Sequence, residues 1–235
     1  MNVLNGKNAL ITGATGGLGT AISLALAESG CNLFLVCRSD EKYASLAEKL
    51  KHVNVKKEKV VCDFEDPQSV LDMISSLKDK KIDILINAAG VFPIKAILES
   101  SMSDYDTCFD VNVRAPFILS RELGKEMCDR KWGRIINIGS SSSYNGSGET
   151  GLYCSSKHAL LGLSRSLYSE YKDHGVRVYS VSPGSAQTDM GKTDKRQDFS
   201  TFITPKEIAE YVCFIMSFDG EGISEEIRIN RMVIR

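Results

Sequence analysis

Residues 8–19 read NALITGATGGLG, and this stretch predicts how the 235-residue chain is built. Its first five residues form a short apolar run typical of a buried strand, and a helical pattern follows over 21–29. Gly13, Gly17 and Gly19 have no side chain, so backbone N–H groups and the positive end of the helix can approach a pyrophosphate. A tight turn that needs glycine for geometry alone is the other interpretation. The strand before the glycines and the helix after them favour a dinucleotide site.

The same order of strand and helix repeats along the rest of the chain. Apolar runs predict further strands over 32–37, 58–62, 82–86, 133–139, 176–181 and 227–230. Helical patterns predict helices over 41–51, 67–80, 103–130, 153–174 and 205–218, with a bend or break at Pro116 in the longest. Apolar strands alternating with helices indicate an α/β fold, a doubly wound parallel sheet of about seven strands with helices on both faces. No linker divides the chain, so we expect a single domain over 1–235.

Composition and charge argue against several classes of protein. The formal net charge is −1, which provides no basic field for nucleic acid. The first residues do not resemble a signal peptide, and no apolar run approaches the length of a membrane span, so we expect a cytoplasmic protein. The seven cysteines are odd in number, widely spaced and never in a CxxC pattern. Reduced, buried cysteines are therefore expected, rather than disulfides or a metal site.

Glycine and polar residues follow six of the predicted strands. They are the glycine loop, Arg38, Asp63, the run 87–90, Ser140 and the pair Pro183-Gly184. In open parallel sheets, ligands bind beyond the carboxyl ends of the strands. Six such ends at one edge of the sheet predict a binding cleft there.

Arg38 predicts which dinucleotide is bound. A cation at the end of the second strand can meet a phosphate on the adenosine ribose, whereas an acidic residue there would bond the free 2′-hydroxyl. Cys37 provides no such carboxylate, so NADP(H) is favoured over NAD(H). A solvated arginine at a helix start is the alternative. Asp63 is open to two interpretations, a hydrogen bond to the adenine amino group or a cap on the turn before Pro67.

Tyr153 and Lys157 are four residues apart on a predicted helix, so they share a face. Tyrosine has an ordinary pKa of about 10, and a nearby lysine cation favours the phenolate and lowers that pKa. Such a tyrosine can give a proton to a developing alkoxide or take one from an alcohol. A surface Tyr–Lys pair is the alternative. Ser140, at a neighbouring strand end, favours the functional interpretation.

These residues resemble the short-chain dehydrogenase/reductase family, in particular its compact branch with 3-oxoacyl-(acyl-carrier-protein) reductases. The matching motifs run from about residue 7 to residue 219. They are the stretch 12–19, Asn87-Ala-Ala-Gly90, Asn112 within 110–113, Ser140, Tyr153-Cys-Ser-Ser-Lys157 and 183–188. The resemblance implies a Rossmann fold and hydride transfer between a nicotinamide cofactor and a carbonyl or alcohol.

The resemblance also implies a role for each site residue. Tyr153 would be the catalytic acid/base, Ser140 would bond the substrate carbonyl, and Lys157 would hold the nicotinamide ribose and tune Tyr153. Asn112 would support a proton relay through water to Lys157, and Thr188 would contact the carboxamide. The full set of predicted cofactor-binding residues is Gly13, Thr15, Gly16, Gly17, Leu18, Gly19, Arg38, Asp63, Phe64, Asn87, Ala88, Ala89, Gly90, Tyr153, Lys157, Pro183, Gly184 and Thr188.

The substrate is predicted less closely than the chemistry. Ser142 and Gln187 are expected to contact it, with Phe92, Tyr144, Asn145 and the polar segment 189–203 shaping the pocket and that segment ordering over bound ligands. The chain lacks the Gly-Gly ending common in 3-oxoacyl-(acyl-carrier-protein) reductases. A reductase of another small carbonyl compound (a sugar, pterin or hydroxy acid) is therefore an alternative, and a non-catalytic dinucleotide-binding regulator is another. The long helices 103–130 and 153–174 resemble those the family pairs between subunits, which predicts a homodimer or homotetramer.

Overall fold

The computed structural model describes residues 3–195 and 197–232, and its centre is a parallel sheet. Within this part of the chain the sheet has seven strands in the order β3-β2-β1-β4-β5-β6-β7, and every neighbouring pair is parallel. The strands are β1 Asn8–Thr12, β2 Asn32–Val36, β3 Lys57–Val60, β4 Ile84–Asn87, β5 Gly133–Ile138, β6 Val176–Pro183 and β7 Glu226–Ile229. This architecture confirms the predicted fold class.

Helices cover both faces of the sheet, as the alternating pattern predicted. They are α1 Gly17–Glu28, α2 Asp40–Lys49, α3 Pro67–Ser76, α4 Met102–Phe109, α5 Ala115–Asp129, α6 Gly151–Tyr171 and α7 Pro205–Met216. The local sequence explains where several of these helices begin. Ser39 and Asp66 accept backbone hydrogen bonds at the starts of α2 and α3, and Thr204 forms a capping box with Glu207 at the start of α7.

Successive strand residues point to opposite faces of the sheet, and each face has its own core. Leu10, Leu85 and their equivalents in the other strands pack against α3, α5 and α6. Ile11, Ile86 and their equivalents pack against α1, α2 and α7. The central strands are therefore buried on both sides, which explains why they are almost continuously apolar.

The long helix predicted over 103–130 is divided just before Pro116. A π-helical turn over Asp110–Arg114 separates α4 from α5, and the backbone N–H of Ala115 bonds to the carbonyl of Asp110. Pro116 has no N–H to donate to the carbonyl of Asn112, so the regular α-helical ladder cannot continue through this position. The predicted break is thus present, and it lies a few residues earlier than the proline itself.

The sheet places a cleft at one edge. From β1 the chain proceeds to β2 and β3 on one side, and β4 to β7 continue on the other. The connections that follow β1 and β4 lead to opposite faces of the sheet, and α/β proteins bind ligands at such a point. The segment predicted to be a loop or short helix after β6 contains two short 3-10 helices, Gly191–Thr193 and Phe199–Thr201. No helix in the described part of the chain is both long and apolar enough to cross a membrane.

Candidate active site

A cavity of about 1000 Å³ runs along the carboxyl ends of the strands. It is lined by the glycine loop, by residues after β2 and β3, by the run 88–92, by Ser140–Ser142 and by residues after β6 and β7. Of the predicted cofactor residues, every one except Asn87 lines this cavity. The structure therefore brings together groups that are distant in the sequence.

The glycine loop leaves space that side chains would fill. Gly13 has a φ of +63°, and a Cβ there would lie 2.9 Å from the backbone of Ala89. A Cβ on Gly19 would lie 2.1 Å from the carbonyl oxygen of Gly13, so α1 packs directly on the loop. A Cβ on Gly17 would lie 2.5 Å from Cγ2 of Thr188. No side chain caps the first turn of α1, so its N–H groups suit an anion such as a pyrophosphate.

Arg38 and Asp63 lie at the end of the cavity beside β2 and β3. Their charged groups are 3.7 Å apart, and their side chains are 71% and 51% exposed. An exposed ion pair of this kind contributes little to stability, so Arg38 can exchange its partner for a phosphate. Lys42, in the first turn of α2, also lines this end of the cavity. This second cation was not predicted from the sequence, although it lies only four residues after Arg38.

Asn87 lies beneath the cavity instead of lining it. Its amide nitrogen donates to Oδ1 of Asn137 at 2.7 Å and approaches Oγ of Ser120 at 3.4 Å. Thr12 supports the same region, since its hydroxyl accepts from the backbone N–H groups of Ala88 and Ala89, each at 3.0 Å. These buried bonds hold the run 87–90 against the ends of β1 and β5. In this geometry the side chain of Asn87 positions the cavity wall.

Tyr153 is 9% exposed and packs edge to face on Phe92, with the ring centroids 4.6 Å apart. Burial raises the pKa of Tyr153 to about 12, and a hydrogen bond with Ser140 opposes this shift in part. Lys157 is also buried, and burial lowers its pKa to about 8. Its Nζ donates to the carbonyl of Ile138 at 2.8 Å and lies 5.7 Å from the Tyr153 ring centroid.

The expected lowering of the Tyr153 pKa by Lys157 is therefore not present in this structure. The ammonium group of Lys157 is directed at a backbone carbonyl, and removal of the phenol from water has the larger effect. Tyr153 accordingly favours its neutral, proton-bearing form. A phenol in that form suits proton donation to a developing alkoxide.

The geometry distinguishes the four consecutive serines. Ser140 is the one hydrogen-bonded to Tyr153, and its hydroxyl also accepts from the backbone N–H of Ser142 at 3.1 Å. Ser143 is buried, and its hydroxyl accepts from the backbone N–H of Ser140 at 3.2 Å. Ser141 and Ser142 also line the cavity. Ser140 is thus the serine placed to share a carbonyl oxygen with Tyr153.

Asn112 lies in the π-helical turn, behind the cavity wall. Its side-chain oxygen accepts from the backbone N–H of Val91 at 2.9 Å, and its amide nitrogen donates to the Val91 carbonyl and to Oγ of Ser156, each at 3.0 Å. A Cβ on Gly90 would lie 3.2 Å from Oδ1 of Asn112 and 3.8 Å from Nζ of Lys157. The side chain of Asn112 thus holds the segment after β4 close to Lys157.

At the substrate end, the cavity is lined by some of the predicted residues and by others that no sequence pattern indicated. Ser142, Phe92 and Asn145 line it, whereas Gln187 and Tyr144 do not. The hydroxyl of Tyr144 donates instead to Oε2 of Glu226 at 3.2 Å, on β7. Residues of the predicted segment 189–203 also line it, Phe202 among them, and the lining residues not predicted from the sequence include Val91, Ser185 and Arg231. Only the pairing of β7 with β6 brings Arg231 here, and no local pattern in the sequence signals it.

Comparison with known proteins identifies close similarities. The family model described as short chain dehydrogenase matches residues 7–198. A 3-oxoacyl-[acyl-carrier-protein] reductase of Rickettsia conorii is 34% identical, over 97% of this chain and 96% of the relative. A putative NAD(P)-dependent gluconate 5-dehydrogenase from Beutenbergia cavernae, solved with bound NADP, has a TM-score of 0.88 and 27% identity, and the match covers 97% of this chain and 95% of that one. A metagenomic short-chain oxidoreductase in complex with NADP has a TM-score of 0.86 and 27% identity, over 98% and 99% of the two chains.

Proposed function

This chain belongs to the short-chain dehydrogenase family, and from that premise we propose that it is an NADPH-dependent oxidoreductase interconverting a ketone or aldehyde and an alcohol. The observation that carries the proposal is the Tyr153–Ser140 pair, which faces the same cavity as the glycine loop. A proton donor and a dinucleotide cradle in one cavity suit carbonyl reduction.

In the proposed reaction the cofactor supplies the hydride, and the protein supplies the proton and orients the substrate. NADPH, when bound, supplies the hydride. Ser140 orients the substrate carbonyl, and Tyr153, kept neutral by burial, gives its proton to the oxygen as negative charge develops there. Lys157 lines the same cavity and holds the nicotinamide ribose. Asn112 is a positioning residue, since its side chain bonds the backbone of Val91.

Two cations at the adenosine end support NADPH over NADH. Arg38 and Lys42 both line that part of the cavity, and a cation after the second strand suits a 2′-phosphate. The two solved relatives described above contain NADP. Asp63, now paired with Arg38, remains a candidate partner for the adenine amino group.

For the substrate, we propose a 3-oxoacyl thioester first, because the reductase of Rickettsia conorii aligns over nearly the whole chain. The gluconate 5-dehydrogenase neighbour is similar in fold, and the alternative of another small carbonyl compound is kept as an outcome of the substrate test. A non-catalytic regulator is disfavoured because Tyr153, Ser140 and Lys157 are all present and face one cavity. We also propose a cytoplasmic homodimer or homotetramer.

Separate titrations with NADPH and NADH test the cofactor. The protein should bind NADPH more tightly, and Arg38→Asp should weaken NADPH binding about 10- to 100-fold by removing a charged hydrogen bond. Lys51→Asp, which makes the same charge change at an exposed position just after the end of α2, should leave both affinities unchanged. Equal affinity of the natural protein for the two cofactors, or a preference for NADH, contradicts the proposal.

A panel of carbonyl compounds tests the reaction itself. It should include a 3-oxoacyl thioester, a simple ketone, an aldehyde, a sugar ketone and an oxo acid, with NADPH consumption followed by absorbance. Reduction of at least one of them, absent in Tyr153→Phe, is expected. Tight NADPH binding without turnover of any compound would favour the regulator.

A further inference from the structure

An arginine lies at the far end of the cavity and has no part in the proposed hydride and proton transfer. Arg231 follows β7 by two residues and lines the same cavity as Ser140 and Tyr153. Its guanidinium donates to Oγ1 of Thr201 at 3.1 Å and also to Oε1 of Gln197. These contacts hold the charged group at the cavity wall.

The charge of Arg231 is not neutralised by its neighbours. Both hydrogen-bond acceptors are uncharged, and no carboxylate of the described residues lies within 4.0 Å of the guanidinium. Asp194 also lines the cavity, but its Oδ2 accepts from Nε2 of Gln197 at 2.9 Å. A guanidinium has five N–H donors, so Arg231 keeps donors for a further oxygen ligand.

The sheet places Arg231 on the substrate side of the cavity. Strands β5, β6 and β7 are neighbours, and Pro183 at the end of β6 pairs with Ile229. Two strand spacings therefore separate the ends of β5 and β7, a distance of about 10 Å, whereas β1 with the glycine loop is four spacings from β7, about 19 Å. Arg231 is thus too distant to serve a pyrophosphate at the glycine loop. It is close enough for its long side chain to approach a molecule held at Ser140.

From this placement we infer that Arg231 binds an anionic group of the substrate, a carboxylate or a phosphate. The substrate is then a carbonyl compound with negative charge on the side away from the glycine loop. This inference rests on the proposed function, because it assigns the substrate class of the same site. Planar carboxylate and phosphate oxygens suit the fork of an arginine, and a charged hydrogen bond of this kind is stronger than a neutral one.

Matched substrate pairs test the inference and separate the two sources of charge. The carboxylate arm compares oxo acids of increasing chain length with their amides, which have the same shape and no charge. The phosphate arm compares a 3-oxoacyl thioester of coenzyme A with the corresponding N-acetylcysteamine thioester, which has no phosphate. Each pair is measured with the natural protein, Arg231→Gln, Arg231→Lys and Lys206→Gln. Lys206 is exposed on α7 and does not line the cavity, so its variant controls for loss of one charge.

In at least one pair, Arg231→Gln should lower kcat/KM for the charged member about 10- to 100-fold and leave the uncharged member nearly unchanged. Arg231→Lys should recover part of the loss, and Lys206→Gln should have no effect. An equal loss for both members of every pair overturns the inference, since Arg231 then only fastens the segment that contains Thr201.

The anion site can also be tested if the proposed reductase activity is absent. If the natural protein reduces none of these compounds, binding of the same acids and coenzyme A thioesters to the NADPH-loaded protein is measured by calorimetry. Binding that Arg231→Gln abolishes, with no binding of the amides, still supports the anion site. Absence of any binding, or binding unaffected by the variant, overturns it.

Discussion

Tyr153 and Lys157 lie one helical turn apart on α6, and burial shifts the pKa of each in favour of its neutral form. The pKa of the phenol rises to about 12 and that of the lysine falls to about 8. The same buried setting makes each hydrogen bond count for more, because water does not compete for the donors and acceptors. Ser140 bonds Tyr153, and the Ile138 carbonyl bonds Lys157. The surroundings of these two side chains therefore determine which of them can donate a proton to a substrate in the cavity.

Replacement of Tyr153 by Phe should remove most turnover and leave NADPH affinity nearly intact. The ring and its contact with Phe92 are kept, and only the transferable proton is lost. We expect kcat to fall about a hundredfold to ten-thousandfold, the usual range for loss of a general acid. Steady-state rates and fluorescence titration of NADPH measure the two effects. Tyr168→Phe, on the same helix and outside the cavity, should retain full activity, and an active Tyr153→Phe protein would show that the proton comes from elsewhere.

The rate of carbonyl reduction should decline above pH about 8. The pKa of Lys157 is lowered to about 8, so its charged form prevails below that pH and is lost above it. The cavity then loses the buried cation that we propose to hold the nicotinamide ribose. Tyr153, with a pKa of about 12, stays protonated over this range and does not cause the decline. A profile of kcat/KM between about pH 6 and pH 10 measures the effect, and a flat profile contradicts it.

At the scale of elements, each loop at the carboxyl edge depends on a neighbouring element for its shape. The glycine loop after β1 is in contact with the run after β4 and with Thr188 after β6. The segment after β4 is bonded to Asn112 in the π-helical turn between α4 and α5. The break near Pro116 was predictable, because proline cannot donate to the helix ladder. The direction of Asn112 toward Val91 was not, because it depends on how the π-helical turn packs against α6 and the segment after β4.

Gly17→Ala should weaken NADPH binding without unfolding the protein. The added Cβ would lie 2.5 Å from Cγ2 of Thr188, so the loop and Thr188 must separate to accommodate it. We expect the Kd for NADPH to rise about tenfold or more, equivalent to roughly 1.4 kcal/mol. Gly222→Ala is the matched control, since nothing lies within 4 Å of a Cβ at that position. Unchanged affinity in Gly17→Ala would show that the loop does not need glycine there.

For the whole molecule, some features have no explanation within one chain. Phe117 on α5 is 43% exposed. Gly162 is exposed in the interior of α6, where a Cβ would have open space. Glycine in a helix interior costs about 1 kcal/mol relative to alanine, and nothing in the described chain requires it here. Close approach of α6 to a second copy of the chain would explain both residues.

Gly162→Leu should therefore convert the proposed homodimer or homotetramer to a smaller species. Leucine is a good helix former, so the variant chain itself should fold, and circular dichroism checks this. Light scattering measures the mass of each protein at several concentrations. A natural protein that is monomeric, or a variant of unchanged mass, contradicts the proposed assembly through α5 and α6.

The sequence by itself determined the elements of this protein and most of the cavity wall. Apolar strand runs, helix patterns and glycines have local physical causes, so they predicted the parallel sheet and the positions of Ser140, Tyr153 and Lys157 at strand and helix ends. Since parallel strands end at one edge, these residues could be placed together without coordinates. The quoted motifs also led to the family that the comparisons confirm.

Only the tertiary structure decided what each side chain contacts. Burial of Tyr153 and Lys157, which sets their pKa values, depends on elements that are far apart in the sequence. The positions of Asn87 beneath the cavity and of Arg231 on its wall depend on strand pairing, as do those of Tyr144 and Gln187 outside it. Side-chain direction and desolvation are properties of the packed chain, so no local pattern could state them. The glycine stretch 8–19 predicts that a dinucleotide is bound. The packing of strands β5 to β7 determines the shape of the neighbouring substrate pocket.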